Sequence, residues 1–271
     1  MSADPEAVRE FERSGWNRAA ATYEESFATA TRQFIPALLD AAAVGPGMRV
    51  LDVCCGPGFV AAAAATRGAS ATGVDFSPAM LAVAEARHPQ VPFDPGDAET
   101  LPYPPASFDA VVSNFGVHHV PRPGMALGSA HAVLRPGGRI AFTIWAAPAD
   151  NVAWKLMFDA VERFGDPAAS QAPPPGGGFR TPDICMDALR EAGFADIRTR
   201  RLDATWRHRD GRALVAALQA GTARMAALIS AQDPAALPAI IADINARSAP
   251  YRDEVGIAVP IAAFVASGMK V

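Results

Sequence analysis

One aspartate in an otherwise apolar stretch constrains this chain more than any other feature. Residues 49–54 predict a strand that is buried on both faces, because apolar or small side chains surround Asp52. A turn with Gly56 and Gly58 follows, and then a helix predicted over residues 59–67. A carboxylate inside a buried strand is costly unless a cation or a hydrogen-bond donor meets it. The stretch therefore predicts a ligand with positive charge near the turn.

The glycine turn itself fits a nucleotide-binding pattern. Residues 56–61 match G-x-G-x-x-G/A, and Asp75 ends a second strand where an acid that binds ribose hydroxyls belongs. NAD, FAD and S-adenosylmethionine all fit these features. Asp52 favours the last, because a carboxylate beside the turn repels a pyrophosphate, whereas S-adenosylmethionine carries an ammonium and a sulfonium. An NAD-dependent oxidoreductase stays an alternative, supported only by the turn and Asp75.

Five motifs follow one another in a characteristic order, at residues 50–58, 73–80, 96–102, 108–114 and 134–139. In this order and spacing they resemble class I S-adenosylmethionine-dependent methyltransferases, in particular the small-molecule enzymes of the ubiquinone/menaquinone-biosynthesis type. The resemblance covers about half of the chain. It is specific to the class but not to a substrate, and a non-catalytic S-adenosylmethionine-binding module remains a further alternative.

The predicted fold is α/β. Alternating strands and helices over residues 48–145 predict a parallel sheet with helices on both faces. The resemblance implies a Rossmann-like, doubly wound sheet of seven strands, mostly parallel with an antiparallel last strand. It also implies an N-terminal helical lid at 1–45, a donor-binding domain over 46–205 with 252–271, and a helical insert, 206–251, over the acceptor pocket.

Several finer expectations concern individual elements. We expect a short third strand at Val91–Asp94, and a turn at Arg135–Arg139 that leads into the fifth strand. A proline- and glycine-rich loop over 166–178 is a candidate flap. The pattern of apolar residues predicts one helix over Arg212–Ile229 and a last strand over Val259–Ser267.

The resemblance also implies which residues bind the donor. Asp75 would accept the ribose hydroxyls, Phe76 would stack on adenine, and Asp97 would accept a hydrogen bond from the adenine amino group. For Phe76, Asp97 and Tyr23 the alternative is a purely structural role in packing or in a turn. The expected donor-binding residues are Tyr23, Asp52, Cys54, Gly56, Gly58, Asp75, Phe76, Met80, Asp97, Ala98, Asn114 and Phe115.

Two adjacent histidines, His118 and His119, follow the fourth strand. Either could act as a general base or orient the acceptor; alternatively, the pair only packs a loop or caps the next helix. Methyl transfer is an in-line displacement at a carbon that the sulfonium already activates, so alignment is the main task. A base matters only if the nucleophile arrives protonated, and we expect no metal.

Composition and charge restrict the kinds of molecule that this protein is expected to bind. A net charge of -4 and a pI near 5.7 argue against a nucleic-acid-binding surface. Three cysteines cannot build a disulfide framework, and no Cys/His spacing indicates a zinc site. The acidic start lacks the apolar core of a signal peptide, and the apolar run at 59–65 is too short to span a bilayer. We expect a cytoplasmic protein with a small-molecule acceptor and no nucleic-acid or membrane partner, which could form a homodimer.

Overall fold

A seven-stranded mixed sheet organises the computed structural model, which describes residues 4–170, 172–173, 179 and 181–271. In chain order the strands are β1 Arg49–Val53, β2 Ser70–Asp75, β3 Phe93–Pro95, β4 Phe108–Asn114, β5 Leu134–Trp145, β6 Phe194–His208 and β7 Ile257–Lys270. Their spatial order is β3-β2-β1-β4-β5-β7-β6, and β7 alone runs antiparallel to its neighbours. The predicted Rossmann-like fold is confirmed, because the strand order reverses at β1 and the last strand in the chain is the antiparallel one.

Helices cover both faces of the sheet. The α-helices are α1 Pro5–Ala19, α2 Ala28–Thr31, α3 Ile35–Ala41, α4 Phe59–Thr66, α5 Pro78–Arg87, α6 Pro123–Val133, α7 Val152–Phe164, α8 Pro182–Glu191, α9 Gly211–Gly221, α10 Arg224–Ser230 and α11 Leu237–Arg247. Val50 and Val112 pack against α3, α4 and α5, whereas Leu51 and Val111 pack against α6 and α8. The central strands are therefore apolar on both sides, as parallel strands between two helical layers must be.

A third core lies where β6 and β7 extend beyond β5. The pairing of β5 with β7 ends at Trp145, but β6 and β7 continue as a ribbon to His208 and Ile257. Trp206 on this ribbon is 1% exposed and packs against α7, α9 and α11. The ribbon thus supplies the apolar surface on which the helices between β6 and β7 are packed.

The predicted single helix over Arg212–Ile229 is wrong. Helix α9 ends at Gly221, and Thr222 has an extended backbone. The pair α9 and α10 is bent by 117° at this break. A Cβ at Gly221 would lie 2.5 Å from the Cβ of Phe27, so the N-terminal region packs tightly against the break. Within the described ranges no single helix has the length and apolar composition to cross a membrane, although the bent pair α9 and α10 together meets that test.

Other element bounds also differ from the sequence prediction. The third strand is shifted to Phe93–Pro95, and β7 extends the predicted last strand at both ends. The predicted turn at Arg135–Arg139 lies inside β5, where the register with β4 shifts and Gly137 has a φ of +77°. Irregular strand geometry of this kind needs the same glycines as a turn, which explains the misassignment. Of the predicted flap, residues 171 and 174–178 lie outside the described residues.

Replacing Gly73 in β2 by alanine should destabilise the fold. The new Cβ would lie 2.5 Å from the Phe93 ring and 2.9 Å from Cys55 Sγ, so we expect a loss of about 1–3 kcal/mol from overpacking. Gly128→Ala is the matched control, because its Cβ would meet nothing within 4 Å and alanine favours the α6 helix by about 0.5–1 kcal/mol. Urea unfolding measures both variants; equal stabilities would contradict this packing.

Candidate active site

A cleft that encloses about 970 Å³, open solvent at its mouth included, lies at the carboxyl ends of β1, β2 and β4. All the expected donor-binding residues except Gly58 line it: Tyr23, Asp52, Cys54, Gly56, Asp75, Phe76, Met80, Asp97, Ala98, Asn114 and Phe115. Gly58 instead has a φ of +79° and sits under Phe93, whose ring leaves no room for a Cβ. We call this space the first cavity; it lies where open α/β sheets bind their ligands.

Asp52 is buried at the floor of the first cavity and is only half satisfied. Its Oδ2 accepts a hydrogen bond of 3.0 Å from the backbone N–H of Ala61, in the first turn of α4. Its Oδ1 is buried and has no hydrogen-bond partner among the described residues. Burial raises the pKa of Asp52 well above its usual value, although the Ala61 bond opposes this and the Asp75 charge adds to it. An unpartnered carboxylate oxygen in a cavity wall is suited to a cationic ligand.

Asp75 fastens the glycine turn to β2. Its two oxygens accept hydrogen bonds of 2.8 Å each, from the backbone N–H groups of Gly56 and Ser77. Burial raises the pKa of Asp75 to about 6, against the effect of these bonds. Because a carboxylate can accept more hydrogen bonds than these two, Asp75 keeps acceptor capacity for ligand hydroxyls.

The ends of β1 and β4 carry strained backbone beside the first cavity. Cys54 and Phe115 each have a φ of +57°, which is uncommon for residues with a Cβ. Gly116 brings the two strand ends together, since a Cβ there would lie 2.4 Å from that of Cys54. Such conformations persist where the surrounding structure enforces them, often next to ligand sites.

Helix α1 closes one side of the first cavity through an ion-pair cluster that the sequence did not reveal. Arg9 donates from Nε to Asp97 Oδ2 and from Nη2 to Glu99 Oε2, each at 3.0 Å. Arg122 donates from Nε to the same Glu99 oxygen at 2.9 Å. One oxygen of Asp97 is therefore already paired with Arg9. The contacts join residues that lie 88 and 90 positions apart, so no local pattern could indicate them.

Tyr23 lines the first cavity, but its hydroxyl lies 3.1 Å from Thr31 Oγ1. Burial raises the pKa of Tyr23 to about 12, so the hydroxyl stays protonated at neutral pH. The ring stands edge-on to Trp16, which in turn stands edge-on to His119. The N-terminal region thus brings aromatic side chains to the cavity as well as the cation of Arg9.

A second and more open cavity adjoins the first and encloses about 2170 Å³, open solvent included. Its wall contains six aromatic residues from four separate parts of the chain: Trp16, Phe27, Trp145, Trp154, Phe158 and Phe179. The helices between β6 and β7 contribute Arg224, Met225 and Leu228. Trp16 and His119 line both cavities, so they mark the boundary between them.

The two candidate histidines have different surroundings. His118 lines only the second cavity, and its buried Nδ1 has no partner in the part of the chain that the structure describes. Burial lowers the pKa of His118 well below its usual value, and the nearby His119 and Arg224 lower it further. His118 is therefore a neutral imidazole at physiological pH, whereas His119 faces a carboxylate.

That carboxylate is Glu12 of α1, another group that sequence reasoning missed. Glu12 is 1% exposed, and its Oε1 accepts a hydrogen bond of 2.7 Å from Arg224 Nε. Its Oε2 accepts one of 3.1 Å from Trp16 Nε1 and lies 3.1 Å from His119 Nδ1. Burial would raise the pKa of Glu12, but His119 and Arg224 together hold it below its usual value. A search of the described residues finds no cluster of three or more His, Cys, Asp or Glu side chains that could hold a metal ion.

Comparison with known protein families identifies the central part of the chain. Residues 51–142 match the family described as "Methyltransferase domain". The chain is 38% identical over 118 residues to a demethylmenaquinone methyltransferase of Renibacterium salmoninarum, covering 44% of this chain and 50% of the relative. It is 37% identical over 142 residues to a ubiquinone/menaquinone biosynthesis C-methyltransferase of Rhizobium leguminosarum, covering 48% and 55%. The chain therefore spans about half the length of the curated relatives that it matches.

Solved structures show the same fold. An S-adenosylmethionine-dependent methyltransferase of Thermotoga maritima aligns with a TM-score of 0.57 at 20% identity, over 95% of this chain and 99% of the other. The [4+2]-cyclase SpnF aligns with a TM-score of 0.54 at 21% identity, over 88% and 80%. The resemblance to class I S-adenosylmethionine-dependent methyltransferases is confirmed, because residues 51–142 match the methyltransferase-domain family and the curated relatives are named as methyltransferases. Because a cyclase shares the fold, the reaction must be argued from the site.

The unpartnered oxygen of Asp52 should make the stability of the free protein depend on pH. Because the folded-state pKa of Asp52 is raised, its contribution to stability is present at low pH and is lost as the pH rises through that value. An asparagine side chain at this position would not titrate. We therefore expect Asp52→Asn to stabilise the free protein by about 1 kcal/mol at pH 8 and by less at pH 5. Urea unfolding of both proteins at pH 5 and pH 8 measures the difference in their free energy of unfolding. The same difference at both pH values would show that the buried oxygen is satisfied.

Proposed function

We propose that this chain, with its methyltransferase domain, transfers a methyl group from S-adenosylmethionine to a small aromatic acceptor by in-line displacement. The donor would occupy the first cavity and the acceptor the second. One observation carries the proposal: the two cavities adjoin, and Trp16 and His119 line both of them. A methyl group held at this boundary would be open to attack from the second cavity.

The first cavity suits S-adenosylmethionine in charge and shape. The open oxygen of Asp52 would face the ammonium group, and Asp75 would accept the ribose hydroxyls. Phe76 and Met80 offer apolar surface for the adenine ring. Asp97 Oδ1 is not paired with Arg9; it accepts a hydrogen bond of 2.9 Å from the Glu99 N–H and keeps a second lone pair for the ligand. When bound, the donor supplies a methyl group on a positively charged sulfur, and the residues of the chain supply its orientation.

The second cavity suits a planar, largely apolar acceptor. Six aromatic side chains can contact such a ring face-on or edge-on. Arg224, the only Arg or Lys of its described wall, is paired with Glu12, and the carboxylate of Glu162 is the other charged group of the wall. The relatives named for demethylmenaquinone and for ubiquinone/menaquinone biosynthesis support a quinone-related acceptor.

The parts of the chain take complementary roles in this proposal. The N-terminal region, residues 1–45, acts as a lid, because α1 contributes Arg9 to the first cavity and Trp16 to both. The insert, residues 206–251, covers the acceptor and contributes Arg224 from α10. Alignment of acceptor and methyl group between these walls would supply most of the rate enhancement. His119 would take a proton where the acceptor arrives protonated.

The other two candidate functions are less well supported. A pyrophosphate of NAD at the glycine turn would meet the carboxylate of Asp52, which no cation among the described residues neutralises. A non-catalytic binding module would have no use for a large cavity beside the methyl position. Both alternatives nevertheless give distinct results in binding and turnover experiments.

Calorimetry with S-adenosylhomocysteine and with NADH separates donor from dinucleotide binding. We expect S-adenosylhomocysteine alone to bind, and Asp75→Asn to weaken it about tenfold, because the ribose hydroxyls lose a charged acceptor. The affinity of the wild type should also fall as the pH drops below about 6, where Asp75 becomes protonated. Thermal unfolding confirms that the variant is folded. Tight NADH binding, or an unchanged affinity in the variant, would refute the donor assignment.

Phe158 and Phe164 offer a matched test of the acceptor cavity. Both lie on α7 with similar exposure, 42% and 45%, but Phe158 alone lines the cavity. A screen of phenols and hydroquinones with methyl-labelled donor first identifies the best acceptor. We then expect Phe158→Ala to raise the KM for that acceptor about tenfold, through lost apolar contact, without changing affinity for S-adenosylhomocysteine. Phe164→Ala should leave both unchanged; equal effects of the two variants would place the acceptor elsewhere.

A further inference from the structure

The boundary between the cavities holds a charged group that the methyltransferase motifs do not include. Glu12 lies in α1, well before the first motif, and its carboxylate is buried beside His119. A buried carboxylate is retained only where donors compensate its charge. Here the donors are Trp16 on the same helix and Arg224 on α10, and the imidazole of His119, in the loop after β4, lies 3.1 Å from the carboxylate.

We propose that Glu12 is the positioning residue of the reaction: it holds His119 as a general base for the hydroxyl group of an aromatic acceptor. This inference rests on the proposed function. Glu12 would fix the imidazole with the N–H at Nδ1 directed to the carboxylate, which leaves the lone pair of Nε2 for the acceptor. His119 lines both cavities, so this lone pair would act at the point where donor and acceptor meet.

The geometry favours His119 over its neighbour. Nδ1 of His119 lies 3.1 Å from Glu12 Oε2, although the ring is turned away from ideal hydrogen-bond alignment. Rotation about χ2 turns the N–H toward the carboxylate without moving the backbone, and the 3.1 Å distance already allows a hydrogen bond. His118, by contrast, lines only the acceptor cavity and has no carboxylate partner among the described residues.

Arg224 completes the arrangement from the acceptor side. It occupies Oε1 of Glu12, so Oε2 is left to Trp16 and His119. The charged or titratable groups around His119 are therefore Glu12 from α1, Arg224 from α10 and His118 from its own loop. The opposite charges of Glu12 and Arg224 nearly cancel. A proton gained by His119 would therefore add one positive charge beside a neutral ion pair, whose hydrogen bonds can polarise toward that charge.

The chemical step balances as follows. The O–H bond of the acceptor breaks, and its proton forms an N–H bond at Nε2 of His119. The electron pair left on the oxygen bonds the methyl carbon, while the C–S bond breaks and its pair remains on sulfur. If the ring carbon beside the oxygen takes the methyl group instead, the same pair attacks through the ring, and the C–H proton then leaves to water. His119 returns its proton to solvent after product release.

Nitrogen NMR tests the positioning without any turnover. In the full-length protein with 15N-labelled histidine, His119 is assigned through His119→Gln among the five histidines. We expect the Nδ1–H form in the wild type, and a mixed or Nε2–H form in Glu12→Gln. Glu12→Asp should retain the wild-type form in part, and Glu10→Gln, which removes an exposed carboxylate of the same helix, should retain it fully. An Nε2–H form in the wild type, or no change in Glu12→Gln, overturns the proposal.

Kinetics with the best phenol or hydroquinone of the screen gives the second readout. We expect Glu12→Gln to lower kcat about tenfold and His119→Ala about a hundredfold. The low-pH limb of the plot of kcat against pH should shift in Glu12→Gln and return partly to its wild-type position in Glu12→Asp. A carboxylate with a purely structural role would not cause this shift. Rates and profiles equal to those of Glu10→Gln overturn the proposal. A wild type without turnover counts against the proposed function instead, because NMR still decides the pairing.

Discussion

The structure around the first cavity depends on a carboxylate that the fold buries and only half satisfies. Asp52 lies on a central strand with helices on both sides, and it is 1% exposed at the wall of the cavity. The first turn of α4 meets one oxygen, and the other is left to whatever enters the cavity. A hydrogen-bond donor or a cationic group of a ligand at this oxygen would recover the cost of burial. The position of this oxygen links the strand and the glycine turn to the donor that we propose.

The second constraint is the placement of the N-terminal helix. Helix α1 is fastened at one position by Arg9 to the pair Asp97 and Glu99, and at another by Glu12 to Arg224. The first fastening borders the first cavity, and the second borders the second cavity. One helix therefore joins both cavities to the insert, and both ion pairs and apolar packing hold it: Val8 and Ala19 are buried, and Gly15 packs against Ala223 of the insert.

Much of the first cavity could be predicted because its residues lie in short local patterns. The strand, the turn and the acid at the end of β2 occupy residues 49–75, and strand direction alone brings their ends together. The second cavity could not be predicted in this way. Its aromatic residues lie between positions 16 and 179 and share no spacing, so only the packing of separate elements brings them together; Phe27, Trp145 and Trp154, for example, belong to the core on the ribbon of β6 and β7. The break at Gly221 could not be predicted for a similar reason. The apolar run is continuous in sequence, but in the folded protein Phe27 packs against its middle.

The sequence by itself determined the order of strands and helices, most of the residues that line the first cavity and the burial of Asp52, because hydrophobic periodicity and glycine positions are local properties of the chain. Only the tertiary structure decided which of two adjacent histidines faces a carboxylate, and that this carboxylate comes from Glu12, more than a hundred residues away. The physical reason is that a buried ion pair depends on the distance between side chains in the folded protein. No pattern in either segment encodes that distance until the helix is packed.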